Sequence, residues 1–199
     1  MKLRSALLAG AAAALASTLG ATAAQAAVVT FDDAAGAAIL DAQFGNGGSF
    51  DDQGLTFTSH GSYMYVWDSS SPNSNGTNNN IFAGWSGGDT ETITRTGGGA
   101  FNLNSLDMAL SWYDGNPSET VTVNGAPLTI TQALTTYHLN LHNVSSVTIS
   151  GVGSSSGYWL ADNINYAAVP EPATWAMTLL GFGVLGMALR SRRQAMIAA

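Results

Sequence analysis

The chain has no cysteine among its 199 residues, and only 10% of its residues are Asp, Glu, Lys or Arg. Disulfide bonds, thiol catalysis and cysteine–zinc sites are therefore excluded. Positive charge is the scarcer sign, because residues 27–168 contain every acidic residue except Glu171 but only one basic residue, Arg95. A surface with this excess of acidic residues repels nucleic-acid phosphates, which excludes DNA and RNA as partners. The same excess suits an exported protein that holds divalent cations.

Long apolar runs are absent from the middle of the chain and occur only near its two ends. Lys2 and Arg4 precede the Ala/Leu-rich run 6–19, which is typical of a secretory signal peptide spanning residues 1–26. We therefore expect export through the Sec translocon and removal of this segment by signal peptidase. A permanent N-terminal anchor is the alternative, which the short apolar core disfavours. The small residues Ala24 and Ala26 form the small-x-small pattern of a signal-peptidase site. Cleavage is expected after Ala26, before Ala27.

The second apolar run, 173–189, contains no charged residue and is followed by an arginine-rich end, 190–193. We predict a transmembrane helix here, which at ~1.5 Å per residue is roughly 25 Å long, the short end of what crosses a bilayer. The arginines are expected on the cytoplasmic side, so that everything before Pro170 lies outside. Pro170 and Pro172 favour an extended segment that a protease can reach.

The C-terminal segment 169–199 resembles the PEP-CTERM sorting signal in its Pro-Glu-Pro-x-x-Trp-Ala form. This resemblance implies cleavage by an exosortase in a Gram-negative envelope, with the protein held only transiently at the inner membrane. Proteins with this signal commonly accompany exopolysaccharide production and biofilm formation. Such tails are sometimes labelled ice-binding-protein C-termini, from which ice binding does not follow, and an ordinary membrane anchor is the alternative. The matching residues are Pro170, Glu171, Pro172, Trp175, Ala176, Arg190, Arg192 and Arg193.

Between the end segments, residues 27–168 are long enough for one domain with a sizeable core. Short alternating segments separated by turn residues predict an all-β fold, and roughly ten of them suggest a two-sheet β-sandwich or jelly roll. Asn124-Gly125 predicts a hairpin turn, and 34–44 is the one candidate for a short helix. The patterns of residues 144–151 and 158–164 loosely resemble the closing strands of carbohydrate-binding-type jelly rolls.

Strict alternation along the last predicted strand, 158–166, places Asp162 on one face with apolar and aromatic residues. A carboxylate among core residues must be hydrogen-bonded, paired or metal-bound. Asp33 faces inward on the first predicted strand by the same count. We therefore predict a structural calcium ion bound by Asp162 together with Asp33 or Asp32. The alternative is that Asp162 accepts hydrogen bonds from backbone amides of a neighbouring turn.

Three tryptophans, Trp67, Trp85 and Trp112, lie at predicted strand ends beside polar loops. An aromatic plane stacks on the C–H faces of a sugar ring, and a carboxylate such as that of Asp114 accepts hydrogen bonds from its hydroxyls. These four residues predict a sugar-binding site. The alternative is that each tryptophan belongs to the core or its edge.

Catalytic motifs are lacking. A glycosidase needs two carboxylates about 5 to 10 Å apart, and nothing in the sequence requires Asp107, Asp114 and Glu119 to meet that condition. The three histidines, His60, His138 and His142, have neither zinc-ligand spacing nor a Gly-x-Ser-x-Gly serine. A row of alternating threonines, 90–96, is too narrow for an ice-binding array. We therefore predict a structural or adhesive protein of an exopolysaccharide matrix, a sugar-binding module as the alternative, and no enzyme.

Overall fold

The computed structural model describes residues 26–32, 43–61, 63–67, 80–83, 89–111, 116–151, 158–170 and 172–197. The chain divides into two compact units, of which one is Gln25–Val169 and the other contains Pro170–Ala199. In its described residues, the first unit is built from β-strands, which confirms the all-β prediction for the middle of the chain.

Thirteen strands are formed by the described residues. In chain order they are β1 Ala26–Val29, β2 Gln43–Phe44, β3 Ser49–Asp52, β4 Leu55–Ser59, β5 Met64–Trp67, β6 Asn80–Ala83, β7 Thr90–Arg95, β8 Phe101–Leu110, β9 Ser118–Val123, β10 Ala126–Thr131, β11 Thr135–Val144, β12 Ser146–Ser150 and β13 Trp159–Ala168. The first sheet has the order β11-β8-β13-β6-β5-β2, with β1 also paired to β13, and the second has the order β10-β9-β12-β7-β4-β3.

The two sheets share one apolar core. Phe57 and Ile93 from the second sheet belong to the same buried cluster as Leu103, Met108 and Trp159 from the first. The chain also crosses between the sheets at successive strands, because β6 and β8 belong to the first sheet while β7 and β9 belong to the second. Two antiparallel sheets over a common core form the arrangement of a β-sandwich.

The Asn124-Gly125 turn is confirmed. Asn124 has φ 49° and Gly125 has φ 85°, as a two-residue turn of the primed type requires. The turn fixes the register of the hairpin, in which Val123 pairs with Ala126 and Leu128 with Val121.

The first part of the sandwich departs from the predicted pattern. The prediction of a helix over 34–44 is wrong at its end, because Gln43 and Phe44 form β2 and pair with β5, while 33–42 lie outside the described residues. Strand β1 ends at Val29, and Phe31 has a left-handed backbone with φ 57°. The left-handed residue breaks the alternation on which the inward orientation of Asp33 rested.

A β-bulge overturns the predicted face of the last strand. Trp159 and Ala161 lie in the main core, whereas Leu160 belongs to a second small cluster with Ala109. Asn163 has φ 48°, and the pairing of β13 with β8 shifts register there. The extra residue resets the alternation, so that residues after the bulge point into the core at even positions. Asp162 therefore lies on the face of Leu160, away from the main core.

The C-terminal unit contains helix α1, Pro172–Ile197. Among the described residues, no helix is both long and apolar enough to cross a membrane. The prediction of a transmembrane helix at 173–189 is therefore not borne out.

Candidate functional site

The predicted sorting residues lie directly after the last strand. Strand β13 ends at Ala168, and Val169 donates its N–H to the carbonyl oxygen of Ala100 at 2.9 Å. Pro172 is the first residue of α1, a position where the missing N–H of proline costs nothing. Glu171 lies outside the described residues, as does the side chain of Trp175. Ala176 is exposed, and Arg190, Arg192 and Arg193 lie in the last third of α1.

The predicted signal-peptidase site lies at the start of β1. Ala24 lies outside the described residues, together with the rest of the predicted signal peptide up to residue 25. Ala26 pairs with Ala167 and Ala27 pairs with Tyr166. Cleavage before Ala27 would therefore remove one residue of β1 and leave its other three pairs with β13 in place.

Two of the predicted calcium ligands, Asp32 and Asp162, lie in the described part of the chain. Asp162 is 5% exposed, and its Oδ1 accepts the N–H of Asn163 at 2.7 Å, a backbone bond of the kind named as the alternative. Burial raises the pKa of Asp162 to about 7; the Asn163 bond opposes this shift, and the nearby Asp32 and Asp107 carboxylates add to it. Asp33 lies outside the described residues, and these contain no group of three or more metal-ligating side chains.

Of the four predicted sugar residues, Trp67 is the one that lies in the described part of the chain. Trp67 pairs with Asn80 at one end of the β5–β6 hairpin, whereas Ala83 pairs with Met64 and Trp159 at the other. The segments carrying Trp85, Trp112 and Asp114 lie outside the described residues. They follow Ala83 and Ser111, and Leu110 also pairs with Trp159.

An aromatic row that the sequence analysis passed over accompanies Trp67. Tyr63, Tyr65 and Trp67 alternate with the core residues of β5 and are half-buried. The rings of Tyr63 and Tyr65 are stacked, 6.1 Å apart at 10°, and those of Tyr65 and Trp67 are 5.8 Å apart at 55°. Tyr65 and Trp67 pack against the small cluster of Ala109 and Leu160. The sequence signal for this row was the spacing of Tyr-x-Tyr-x-Trp, because residues two apart on a strand lie on the same face.

Two of the three carboxylates considered for hydrolysis, Asp107 and Glu119, lie in different sheets. Asp107, on β8, accepts a hydrogen bond from Asn163 Nδ2 at 2.9 Å and another from Thr136 Oγ1. Glu119, on β9, accepts one from Asn116 Nδ2. Asp114 lies outside the described residues. His60, His138 and His142 are all exposed.

The threonine row of β7 extends across neighbouring strands. Thr92 pairs with Thr58 on one side and Thr148 on the other, and Thr94 pairs with Thr56 and Ser146. Such a face has the repeat of a hydroxyl lattice, but adjacent strands of a sheet rotate by about 20 to 25° relative to one another. A twisted array does not match a flat crystal plane, so this face supports no ice-binding site.

Glu91 is one of three buried carboxylates that sequence analysis missed, with Asp52 and Asp89. It is 2% exposed, and neither carboxylate oxygen has a hydrogen-bond partner. Burial, with a contribution from Asp89, raises the pKa of Glu91 to about 8. The signal was present in the sequence, because Glu91 alternates with the apolar Ile93 while the threonines occupy the other face.

Residues 168–193 match the PEP-CTERM protein-sorting motif, which confirms the resemblance of the C-terminal segment. None of the curated proteins compared with the chain matches it. Among solved structures, the chain is similar to the CBM22-1 xylan-binding domain of Xyn10C from Paenibacillus barcinonensis, with 11% sequence identity and a TM-score of 0.40. That similarity covers 76% of this chain and 99% of the xylan-binding domain, and at this level it supports no functional assignment.

Proposed function

We propose that this protein is exported and cut by an exosortase, and that its mature β-sandwich has a structural or adhesive role in an exopolysaccharide matrix. The observation that carries the proposal is the match of residues 168–193 to the PEP-CTERM protein-sorting motif. The proposal gives the protein a role in sorting and assembly and assigns it no catalytic step.

The position of the motif supports cleavage. The last bond of the sandwich in this region is the one from Val169 N to Ala100 O, and Pro170 follows immediately. A cut at Pro-Glu-Pro therefore removes α1 without breaking any strand pair. The compact unit Gln25–Val169 keeps its whole core.

The surface of α1 supports a precursor held at the membrane before the cut. Seven of its large apolar side chains are 59% to 70% exposed, namely Met177, Leu179, Leu180, Phe182, Val184, Met187 and Leu189. An apolar surface of this extent favours contact with lipid or protein over water. The arginines that follow, from Arg190 to Arg193, are suited to anionic lipid headgroups.

Replacing Pro170-Glu171-Pro172 by three alanines tests the proposal in a host with exosortase. We expect the variant to stay membrane-associated at its uncut mass, while the wild-type protein loses α1. Pro127→Ala, an exposed proline of β10, is the control and should be processed normally. Identical mass and location for wild type and triple variant, in hosts with and without exosortase, would show that the motif is not used.

The aromatic row Tyr63, Tyr65 and Trp67 favours carbohydrate binding as a second candidate function. Aromatic rings present a negative face to the polarised C–H bonds of a sugar, and the outer sides of these half-buried rings lie along one strand. The surrounding unit has Arg95 as its only Lys or Arg. It therefore suits a neutral polysaccharide better than an anionic one.

Affinity electrophoresis in gels containing neutral or uronic-acid polysaccharides tests this candidate. We expect Trp67→Ala to weaken retention by a neutral polysaccharide about tenfold or more, since one base-sized stacking contact is worth ~1 to 3 kcal/mol. Tyr137→Ala, which removes a half-buried aromatic ring of β11, is the matched control. Equal retention of wild type and Trp67→Ala on every polysaccharide rejects the aromatic row as a sugar site.

A further inference from the structure

We propose that Asp89 and Glu91 bind a hard divalent cation, Ca²⁺ being the best fit, inside the end of the sandwich where β4 ends and β7 begins. The proposed site uses none of the residues predicted above as calcium ligands, Asp32, Asp33 and Asp162, and the proposal does not depend on the sorting function.

The first observation is the state of Glu91. Its side chain is 2% exposed, and both oxygens lack a hydrogen-bond donor. Buried polar atoms in folded proteins nearly always have a partner, so each orphan needs an explanation, and a bound ion is one of those known. Glu91 pairs across the sheet with Ser59 and Ile149, which are also buried, so it lies on the inner face of the second sheet.

Asp89 supplies a second carboxylate to the same place. It lies two residues before Glu91 and is 7% exposed. Gly61 packs directly beneath it, because a methyl group at Gly61 would come within 2.5 Å of the Asp89 Cγ. Neutral oxygen ligands are also close by: the Ser59 hydroxyl, opposite Glu91, forms hydrogen bonds with the backbone of Gly61.

Charge balance points to a cation from solution. Arg95 is the only Lys or Arg between residues 27 and 168. It lies four residues along β7 from Glu91, about 13 Å at ~3.3 Å per residue, and interacts with Tyr166. His60, the nearest histidine in sequence, is exposed. Arg95 is thus too far along the strand, and His60 too exposed, to neutralise the buried carboxylate of Glu91.

The chemistry of the ligands selects the cation. The candidates are carboxylate, hydroxyl and carbonyl oxygens, without sulfur or imidazole, which favours Ca²⁺ or Mg²⁺ over zinc. A glutamate with both oxygens free binds Ca²⁺ in a bidentate manner, and Ca²⁺ tolerates the irregular geometry of a sandwich end better than Mg²⁺. Two carboxylates are enough to bind Ca²⁺ when backbone oxygens and water complete its coordination shell.

Thermal unfolding of the full chain in detergent, in EDTA and then with added CaCl₂, tests the proposal. We expect the midpoint to rise by roughly 5 to 10 °C once free Ca²⁺ exceeds its dissociation constant a hundredfold. Glu91→Gln and Asp89→Asn, which keep side-chain size but remove charge, should each abolish the rise. Isothermal titration calorimetry with CaCl₂ gives a second readout, and the heat of binding should be lost in the same variants.

Asp162→Asn is the matched control, because Asp162 is an equally buried acid outside the proposed site. It should keep the full calcium-dependent rise. The proposal is overturned if the wild-type midpoint does not respond to Ca²⁺, or if the response survives Glu91→Gln in a protein whose circular dichroism is unchanged. A response lost in Asp162→Asn and kept in Glu91→Gln overturns it as well, because the ion then belongs to the Asp162 cluster.

Discussion

The buried carboxylate of Glu91 makes stability depend on pH when no cation is present. Burial and the neighbouring Asp89 raise the pKa of Glu91 to about 8, from an ordinary value of 4.5. Between these two values the folded protein holds a proton that the unfolded chain has lost. The folded state binds more protons in this window, so the contribution of Glu91 to stability is fully present below pH 4.5 and is lost as pH rises through 8.

The size of the effect follows from the pKa difference. Each pH unit between 4.5 and 8 lowers the free energy of unfolding by about 1.4 kcal/mol. Over the whole interval the loss is on the order of 5 kcal/mol at most. Asp162, whose pKa burial raises to about 7, adds a similar fall at lower pH. Between pH 7 and pH 8 Glu91 dominates, and this interval separates the two groups.

Urea unfolding in EDTA at pH 5, 6, 7 and 8, followed by circular dichroism, measures the dependence. We expect the free energy of unfolding of wild type to fall with pH, and that of Glu91→Gln to fall less. The difference between the two proteins should change by about 1 kcal/mol between pH 7 and pH 8. Parallel curves over the whole range would refute the reasoning, because they would mean that Glu91 has the same pKa in both states.

Two further substitutions probe the architecture around the sites. Gly61→Ala should lower the free energy of unfolding by about 1 to 3 kcal/mol, because the new methyl group meets Asp89 Cγ and Cβ at 2.5 and 2.6 Å; an unchanged urea midpoint would mean that Asp89 moves freely. Asn163→Val should cost a similar amount, because a β-branched residue at φ 48° is strained and the bond from Nδ2 to Asp107 is lost. Asn163→Gly keeps the backbone freedom and should be milder, and equal losses in both would remove backbone strain as the cause.

Much of the fold follows from local patterns in the sequence. The alternation in Leu55–Ser59 and Met64–Trp67 and the Asn124-Gly125 turn predict their strands and hairpin, because period-two burial and positive φ are local properties. The sorting motif is also local, since its parts are contiguous. None of these depends on which strands become neighbours.

What the sequence did not predict depends on register and tertiary packing. One left-handed residue, Asn163, moves Asp162 from the expected inner face to the outer one, and no composition rule signals that bulge. The burial of Glu91 was readable from its alternation with Ile93. Its lack of a partner was not, because that depends on the buried Ser59 of β4 and Ile149 of β12 beside it.

Intact mass spectrometry of the protein recovered from its native envelope tests the central claim most directly. The account predicts a mature chain that begins at Ala27 and ends near Pro170, with both α1 and the N-terminal segment removed. A full-length chain with both segments intact, found in the cytosol of cells that contain exosortase, would contradict it.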